Sequence, residues 1–123
     1  MESKASILIA SSNSACINLF VYLLQSEYTL FTVKSGHAAI NAAMNTKPTL
    51  ILLDAEMTGM TGYETMLALR HMDDTKKIPV ILVTGADGGN DKVRALDLGA
   101  MDCIQIDSEP DLIKNRINNQ IFT

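Results

Sequence analysis

The chain contains five short apolar runs, and each is followed by a segment in which apolar and polar residues are mixed. The runs Leu50–Leu53 and Val80–Val83 are apolar at every position instead of alternating. A strand has this pattern when helices cover both of its faces, which is typical of parallel sheets. The predicted strands are Ile7–Ala10, Leu30–Val33, Leu50–Leu53, Val80–Val83 and Cys103–Ile106.

The segments between the runs have the spacing of amphipathic helices. Apolar residues recur every three or four positions after Ser11–Ser14, where short polar side chains offer N-caps. Five helices are predicted. The first follows Ser11–Ser14, the second covers Gly36–Asn45, and the third runs from Gly62 to near Asp73 and Asp74. The fourth runs from a cap at Asn90 or Asp91 to Gly99, and the fifth begins at Pro110.

Regular alternation of strand and helix predicts a doubly wound α/β sheet with right-handed crossovers. In such sheets, binding and catalytic sites lie beyond the carboxyl ends of the strands. Neither GxGxxG nor GxxxxGK[ST] occurs, which argues against a dinucleotide or P-loop site. The strand-end residues of interest are Ser11, Ser12, Asp54, Thr84, Gly85, Ile106 and Asp107.

Length and composition restrict the class of protein. A chain of 123 residues with 47% hydrophobic and 20% charged residues suits one globular domain, 1–123. The net charge of −4 disfavours direct nucleic-acid binding, and no apolar run approaches the roughly 20 residues that span a bilayer. We therefore expect a cytoplasmic protein without nucleic acid or membrane as partner. Cys16 and Cys103 lack zinc-ligand spacing, and we predict that both are reduced and buried.

Three ordered stretches resemble the receiver domain of bacterial response regulators: Leu50–Glu64, Ile78–Gly85 and Lys92–Asp102. The resemblance extends over essentially the whole chain. It implies a flavodoxin-like (βα)5 doubly wound parallel sheet with strand order 2-1-3-4-5. Leu112–Ile121 is similar to the end of receivers that continue into another domain, so residues 1–123 are expected to be either a whole protein or the N-terminal part of a larger regulator.

The resemblance implies that Asp54 is a phosphoacceptor. Receivers accept a phosphoryl group from a histidine kinase at this position, and Thr84 and Gly85 match the positions that surround the phosphoryl oxygens. The family holds Mg²⁺ with this aspartate, with the carbonyl two residues later, here Glu56, and with an acidic pair after the first strand. A small flavodoxin-like enzyme is disfavoured, because no cofactor fingerprint or nucleophile–base pair is visible.

Five positions depart from the family's pattern, and one of them, Asp107, stands where the family usually has a proline. Ser11 and Ser12 stand where the acidic pair is expected, and neutral hydroxyls are weak ligands for a hard cation. Ile106 stands where the family has a lysine that compensates phosphoryl charge. Cys103 stands where the family has an aromatic residue that changes rotamer when the domain is switched. Mg²⁺ affinity and the usual output step are therefore both expected to be impaired.

The loss of the acidic pair and the loss of the lysine are consistent with each other in charge. Three clustered carboxylates would repel one another without a metal ion or a lysine, whereas a single aspartate among hydroxyls needs neither. We therefore predict that Ser11, Ser12 and Thr84 hydrogen-bond to Asp54. The Glu56 side chain is an alternative source of a carboxylate, and with Asp54 it would form a weak Mg²⁺ site.

Two functions remain open. The first is a phosphoacceptor that works at reduced efficiency under a histidine kinase, and the second is a pseudo-receiver that acts through protein–protein interaction. The resemblance implies a histidine kinase or another signalling protein as partner, and a homodimer through the fourth helix, fifth strand and fifth helix. That face would include Lys92, Arg94, Asp97, Asp102 and Lys114.

Overall fold

The computed structural model describes residues 4–85 and 91–122, and it describes no side chains for residues 91–93. Strands and helices alternate along these residues, as the apolar pattern predicts. The elements are β1 (Ser6–Ala10), α1 (Ser14–Leu24), β2 (Thr29–Val33), α2 (Gly36–Thr46), β3 (Leu50–Asp54), α3 (Gly62–Arg70), β4 (Val80–Thr84), α4 (Asp91–Asp97), β5 (Asp102–Gln105) and α5 (Pro110–Ile121). Among them, no helix is long and apolar enough to cross a membrane.

The strands form one parallel sheet in the order β2-β1-β3-β4-β5. The flavodoxin-like order expected from the resemblance is therefore confirmed. The first four residues of β3 and all of β4 are buried, because helices cover both sheet faces. This double coverage is the reason that both strands are apolar at consecutive positions.

Strand register brings the predicted site residues to one edge of the sheet. Ala10, the last residue of β1, lies opposite Leu53, and Asp54 lies opposite Val83. The residues that follow β1 and end β3 and β4 are therefore neighbours. Ser11, Asp54 and Thr84 meet there, although they are far apart in sequence.

Several predicted boundaries are wrong, among them those of α3 and β5. Helix α3 ends at Arg70 instead of near Asp73 and Asp74, because the Thr75 hydroxyl donates to the carbonyl of Leu69 (2.8 Å) and closes the last turn. Strand β5 covers Asp102–Gln105, one residue earlier than predicted. The predicted cap at Asn90 lies outside the described residues.

Helix α4 ends at Asp97, two residues before the predicted end, and Gly99 adopts the left-handed conformation that the sequence predicts. Gly99 has a φ of 107°, which an L residue rarely adopts. Its amide donates to the carbonyl of Leu96 (3.1 Å), and the amide of Ala100 donates to that of Ala95 (3.0 Å). This pair of bonds is a Schellman motif, and it directs the chain sharply into β5.

Candidate functional site

Both carboxylate oxygens of Asp54 accept hydrogen bonds. The Ser11 hydroxyl donates to Oδ2 over 2.7 Å, and the amide of Glu56 donates to Oδ1 over 3.0 Å. Asp54 is half-buried. The carboxylate is therefore held in one orientation by two neutral donors from different parts of the chain.

Ser11 is fully buried, and its surroundings orient its hydroxyl. Its backbone amide donates to the carbonyl of Val33 (3.1 Å), which continues the β1–β2 pairing by one residue. Its Oγ accepts the amide proton of Asn13 (3.0 Å), so the hydroxyl proton is directed to Asp54. Asn13 in turn caps α1, because its Oδ1 accepts from the amides of Ala15 and Cys16.

The other two predicted donors have different partners. The Oγ of Ser12 accepts the amide proton of Thr58 over 3.2 Å. The buried Oγ1 of Thr84 lies 4.0 Å from the Sγ of Cys103, which donates to it. The prediction that three hydroxyls bind Asp54 is therefore right for Ser11 and wrong for Ser12 and Thr84, because Ser12 pairs with Thr58 and Thr84 with Cys103.

A cavity of about 180 Å³ lies beside Asp54. Its lining consists of Asn13, Cys16, Asp54, Glu56, Val83, Thr84, Gly85 and Ile106. The structure thus brings Thr84 and Gly85 to the acceptor, as the sequence predicts. Two carboxylates and no cation line the cavity among the described residues, and Ile106 occupies the place at which the resemblance expects a lysine.

Cys16 is a lining residue that sequence reasoning missed. It is half-buried, whereas Cys103 is buried as predicted. Desolvation by burial raises the pKa of the Cys16 thiol, and the neighbouring negative charge of Asp54 raises it further, against a lowering by a hydrogen bond with Ser11. The thiol is therefore neutral at physiological pH and adds no charge to the cavity.

The donor set fits Mg²⁺ poorly. Magnesium requires octahedral coordination by oxygen atoms, usually from one or two carboxylates with water. Both oxygens of Asp54 already accept hydrogen bonds. Ser11 and Ser12 stand where the family has its acidic pair, and neutral hydroxyls are weak ligands for this hard cation, so Asp54 and Glu56 are the carboxylates that remain. In residues 4–85 and 91–122, no group of three or more His, Cys, Asp or Glu side chains could hold a metal ion.

A second cavity of about 390 Å³ adjoins the first and shares Glu56 with it. Its other lining residues are Ala55, Met57, Thr61, Tyr63 and Arg94. The guanidinium carbon of Arg94 lies 3.9 Å from the centroid of the Tyr63 ring. This contact between α4 and α3 has no sequence signal, because the two residues belong to different helices.

The face formed by α4, β5 and α5 carries exposed apolar side chains. Leu96, Met101 and Leu112 are 43%, 53% and 47% exposed. Asp97 is also exposed, Lys114 pairs with Glu27 (3.5 Å), and Asp102 pairs with Arg116 (3.4 Å). The side chain of Lys92 lies outside the described residues. Apolar and charged groups are therefore mixed on this face.

Comparison with known proteins gives a consistent result. The sequence model of a protein family, the response regulator receiver domain, matches residues 7–118 of this chain. The response regulator PleD of Caulobacter vibrioides is 35% identical over 100 residues, which are 80% of this chain and 22% of PleD. The chain therefore spans about a fifth of that relative's length.

Solved structures support the same assignment. The signal receiver domain of a signal transduction histidine kinase from Syntrophus aciditrophicus is 28% identical, with a TM-score of 0.84 over 95% of this chain and 89% of that one. A response regulator receiver domain protein from Methanospirillum hungatei superimposes with a TM-score of 0.85 at 22% identity over 97% and 94% of the two chains. The second match shows the shared fold.

Proposed function

This chain belongs to the response regulator receiver family, and we propose that it is a pseudo-receiver, which signals through protein–protein contacts while Asp54 is a poor phosphoacceptor. The supporting observation is the 2.7 Å hydrogen bond from the Ser11 hydroxyl to Asp54 Oδ2. A neutral donor occupies the place where the family supplies a metal-binding carboxylate. A cytoplasmic location is part of this proposal.

The charge balance of the cavity supports impaired phosphorylation. A phosphoryl donor is anionic, and transfer to a carboxylate needs cations that neutralise the phosphoryl oxygens. The described lining offers Asp54 and Glu56 as charged groups, both negative. An approaching phosphoryl group is therefore repelled and finds neither the expected lysine nor a well-formed magnesium site.

The proposed partners are a histidine kinase or another signalling protein, and a second copy of this chain. Leu96, Met101 and Leu112 are exposed apolar side chains among the charged groups of the α4–β5–α5 face. Burial of apolar surface drives most protein association. Sedimentation velocity on the wild type and on Leu96→Asp tests the homodimer. We expect the variant to be monomeric at concentrations where the wild type dimerises.

Phosphorylation can be tested in a refitted protein, in which the family's acidic pair and lysine are restored by substitution. The wild type and Ser11→Asp/Ser12→Asp/Ile106→Lys would be incubated with acetyl phosphate and Mg²⁺, with intact mass as the readout. We expect the refitted protein to gain one phosphoryl group and the wild type to remain unmodified. Asp54→Ala, introduced into both proteins, is the matched control and should abolish labelling.

The second candidate is a phosphoacceptor of low efficiency. Asp54, Thr84 and Gly85 remain together around the cavity, and the carboxylate of Glu56 lines it too. Labelling of the wild type at the rate of the refitted protein would support this candidate and contradict the pseudo-receiver. A refitted protein that folds but stays unlabelled would show that the three replaced positions do not explain the impairment.

A further inference from the structure

Strand β2 lies at one edge of the sheet and lacks the features that keep edge strands from pairing with another strand. Charged side chains, proline and β-bulges are the usual protection. The sequence of β2 contains neither a charged residue nor proline, and its register with β1 is continuous. In residues 4–85 and 91–122, β2 pairs with β1 alone. Its outer side is therefore accessible to a further strand.

The backbone of β2 offers hydrogen-bonding groups on this outer side. The amide of Thr29 and the carbonyl of Val33 are both bonded on the β1 side, over 3.0 and 3.1 Å. Successive residues of a strand direct their amide and carbonyl groups to opposite sides. Phe31 is therefore also directed to β1, whereas the amides and carbonyls of Leu30 and Thr32 point outward.

The outward groups are placed symmetrically about Phe31. If a second copy pairs in antiparallel orientation with the two Phe31 residues opposite each other, Leu30 of each copy lies opposite Thr32 of the other. Residues opposite each other in this way exchange both of their backbone hydrogen bonds. The two Phe31 rings then form a cross-strand aromatic pair, which adds stability. The edge is therefore complementary to itself, as a two-fold symmetric interface requires.

Charges at the two ends of β2 favour the antiparallel orientation. Glu27 precedes the strand and remains 45% exposed beside Lys114, and Lys34 follows the strand and is exposed. Among the ion pairs of the described residues, none includes Lys34. Antiparallel pairing brings Lys34 of one copy next to Glu27 of the other, whereas parallel pairing would place like charges together.

The same groups select the register. A shift by two residues in one direction would require the amide of Tyr28, which already donates to the carbonyl of Leu24 (3.1 Å). A shift in the other direction would separate Lys34 from Glu27. Pairing centred on Phe31 therefore satisfies both the backbone groups and the charges.

We propose that two copies of this chain associate through β2, in antiparallel orientation and with Phe31 on the two-fold axis, so that their sheets join into one. β2 and β5 are opposite edges of the sheet, so neither Asp54 phosphorylation nor the α4–β5–α5 face takes part. Small interfaces are typical of weak, reversible association. We therefore expect this pairing at higher protein concentrations than those of the sedimentation experiment.

Hydrogen exchange of single amides tests the pairing, in the wild type and in Leu96→Asp. The amides of Leu30 and Thr32 gain a bond in the dimer, whereas that of Phe31 is bonded to β1 in both states. A roughly tenfold dilution should therefore about double the exchange rates of Leu30 and Thr32 and leave that of Phe31 unchanged, by mass action. The same result in Leu96→Asp would show that the α4–β5–α5 face is not responsible.

An intermolecular contact tests the register. Thr29 and Val33 lie about 13 Å apart within one copy, since a strand rises about 3.3 Å per residue, and this is too far for a nuclear Overhauser effect. In the proposed dimer, Thr29 lies directly opposite Val33 of the second copy in a pair without hydrogen bonds, where the backbones are closest. A mixture of isotope-labelled and unlabelled protein should therefore show a contact between their Hα atoms.

Two pairs of variants complete the test. Thr32→Pro removes the outward amide and no bond to β1, and Thr32→Val is the matched control that keeps the amide. We expect Thr32→Pro to abolish the concentration dependence of the Leu30 exchange rate and Thr32→Val to retain it. If proline prevents folding, Lys34→Glu should weaken the dependence by repulsion from Glu27, and Lys34→Arg should preserve it.

Three results would overturn the proposal. They are exchange rates that do not depend on concentration, a dependence that is lost in Leu96→Asp, and equal behaviour of a variant and its control. A protein that stays monomeric at every concentration would leave this edge to a strand of another protein, against pairing with a second copy. No phosphoryl transfer is measured, so failure here is distinct from failure of the proposed function.

Discussion

Replacing Ser11 by alanine should destabilise the fold through one identified interaction. The substitution removes the hydroxyl that donates to Asp54 Oδ2 over 2.7 Å and accepts from the amide of Asn13 over 3.0 Å. Asn13 is exposed, so water can replace the lost acceptor. Asp54 is half-buried, so water replaces the lost donor less completely.

The magnitude follows from the charge on the acceptor. A hydrogen bond to a charged group contributes about 1.5–3 kcal/mol, and partial exposure of Asp54 favours the lower part of that range. We therefore expect Ser11→Ala to lower the free energy of unfolding by about 1.5–2 kcal/mol. For a domain of 123 residues, this corresponds to a Tm roughly 5–10 °C lower.

Urea denaturation followed by circular dichroism measures this loss. Ser12→Ala is the matched control, since Ser12 is exposed and its hydroxyl accepts from a neutral amide, and it should cost about 0.5 kcal/mol or less. A double-mutant cycle with Asp54→Ala should give a coupling energy of about 1 kcal/mol or more. A loss equal to that of the control, or a coupling energy near zero, would refute the reasoning.

Three further predictions concern the elements around the site. Arg70→Met removes donors to the carbonyls of Lys76, Ile78 and Gly99 and should cost about 2–3 kcal/mol in urea denaturation; a loss below about 0.5 kcal/mol would show that these bonds do not stabilise the fold. Gly99→Ala should cost about 1–3 kcal/mol because of its φ of 107°, whereas Gly85→Ala, which meets open space, should be nearly neutral. Accepting the amide proton of Thr61 lowers the pKa of Glu64 below its ordinary value. Glu64→Gln should therefore reduce stability near neutral pH, and its difference from the wild type should vanish in denaturation series as pH falls through that lowered pKa.

Local patterns in the sequence determined the elements and their order. Leu50–Leu53 is apolar at every position because both faces of β3 are covered, and Gly99 ends α4 because its left-handed conformation suits glycine. These patterns lie within one turn or one strand, so they can be recognised in the sequence without knowledge of the tertiary structure. The position of Asp54 at the end of β3, beside Thr84 and Gly85, follows from them once the strands are ordered.

Only the tertiary structure decided which side chains pair around the site. The sequence predicts that three hydroxyls bind Asp54, and in the structure only that of Ser11 does so. The pairing of β1 with β3 places Ser11 beside Asp54, and the amide of Asn13 orients its hydroxyl. The contact of Arg94 with Tyr63 joins helices that no local pattern relates. Periodicity reports which face of an element is buried, whereas a hydrogen bond or a stacked ring depends on distances and directions between distant segments, which are set when the elements pack.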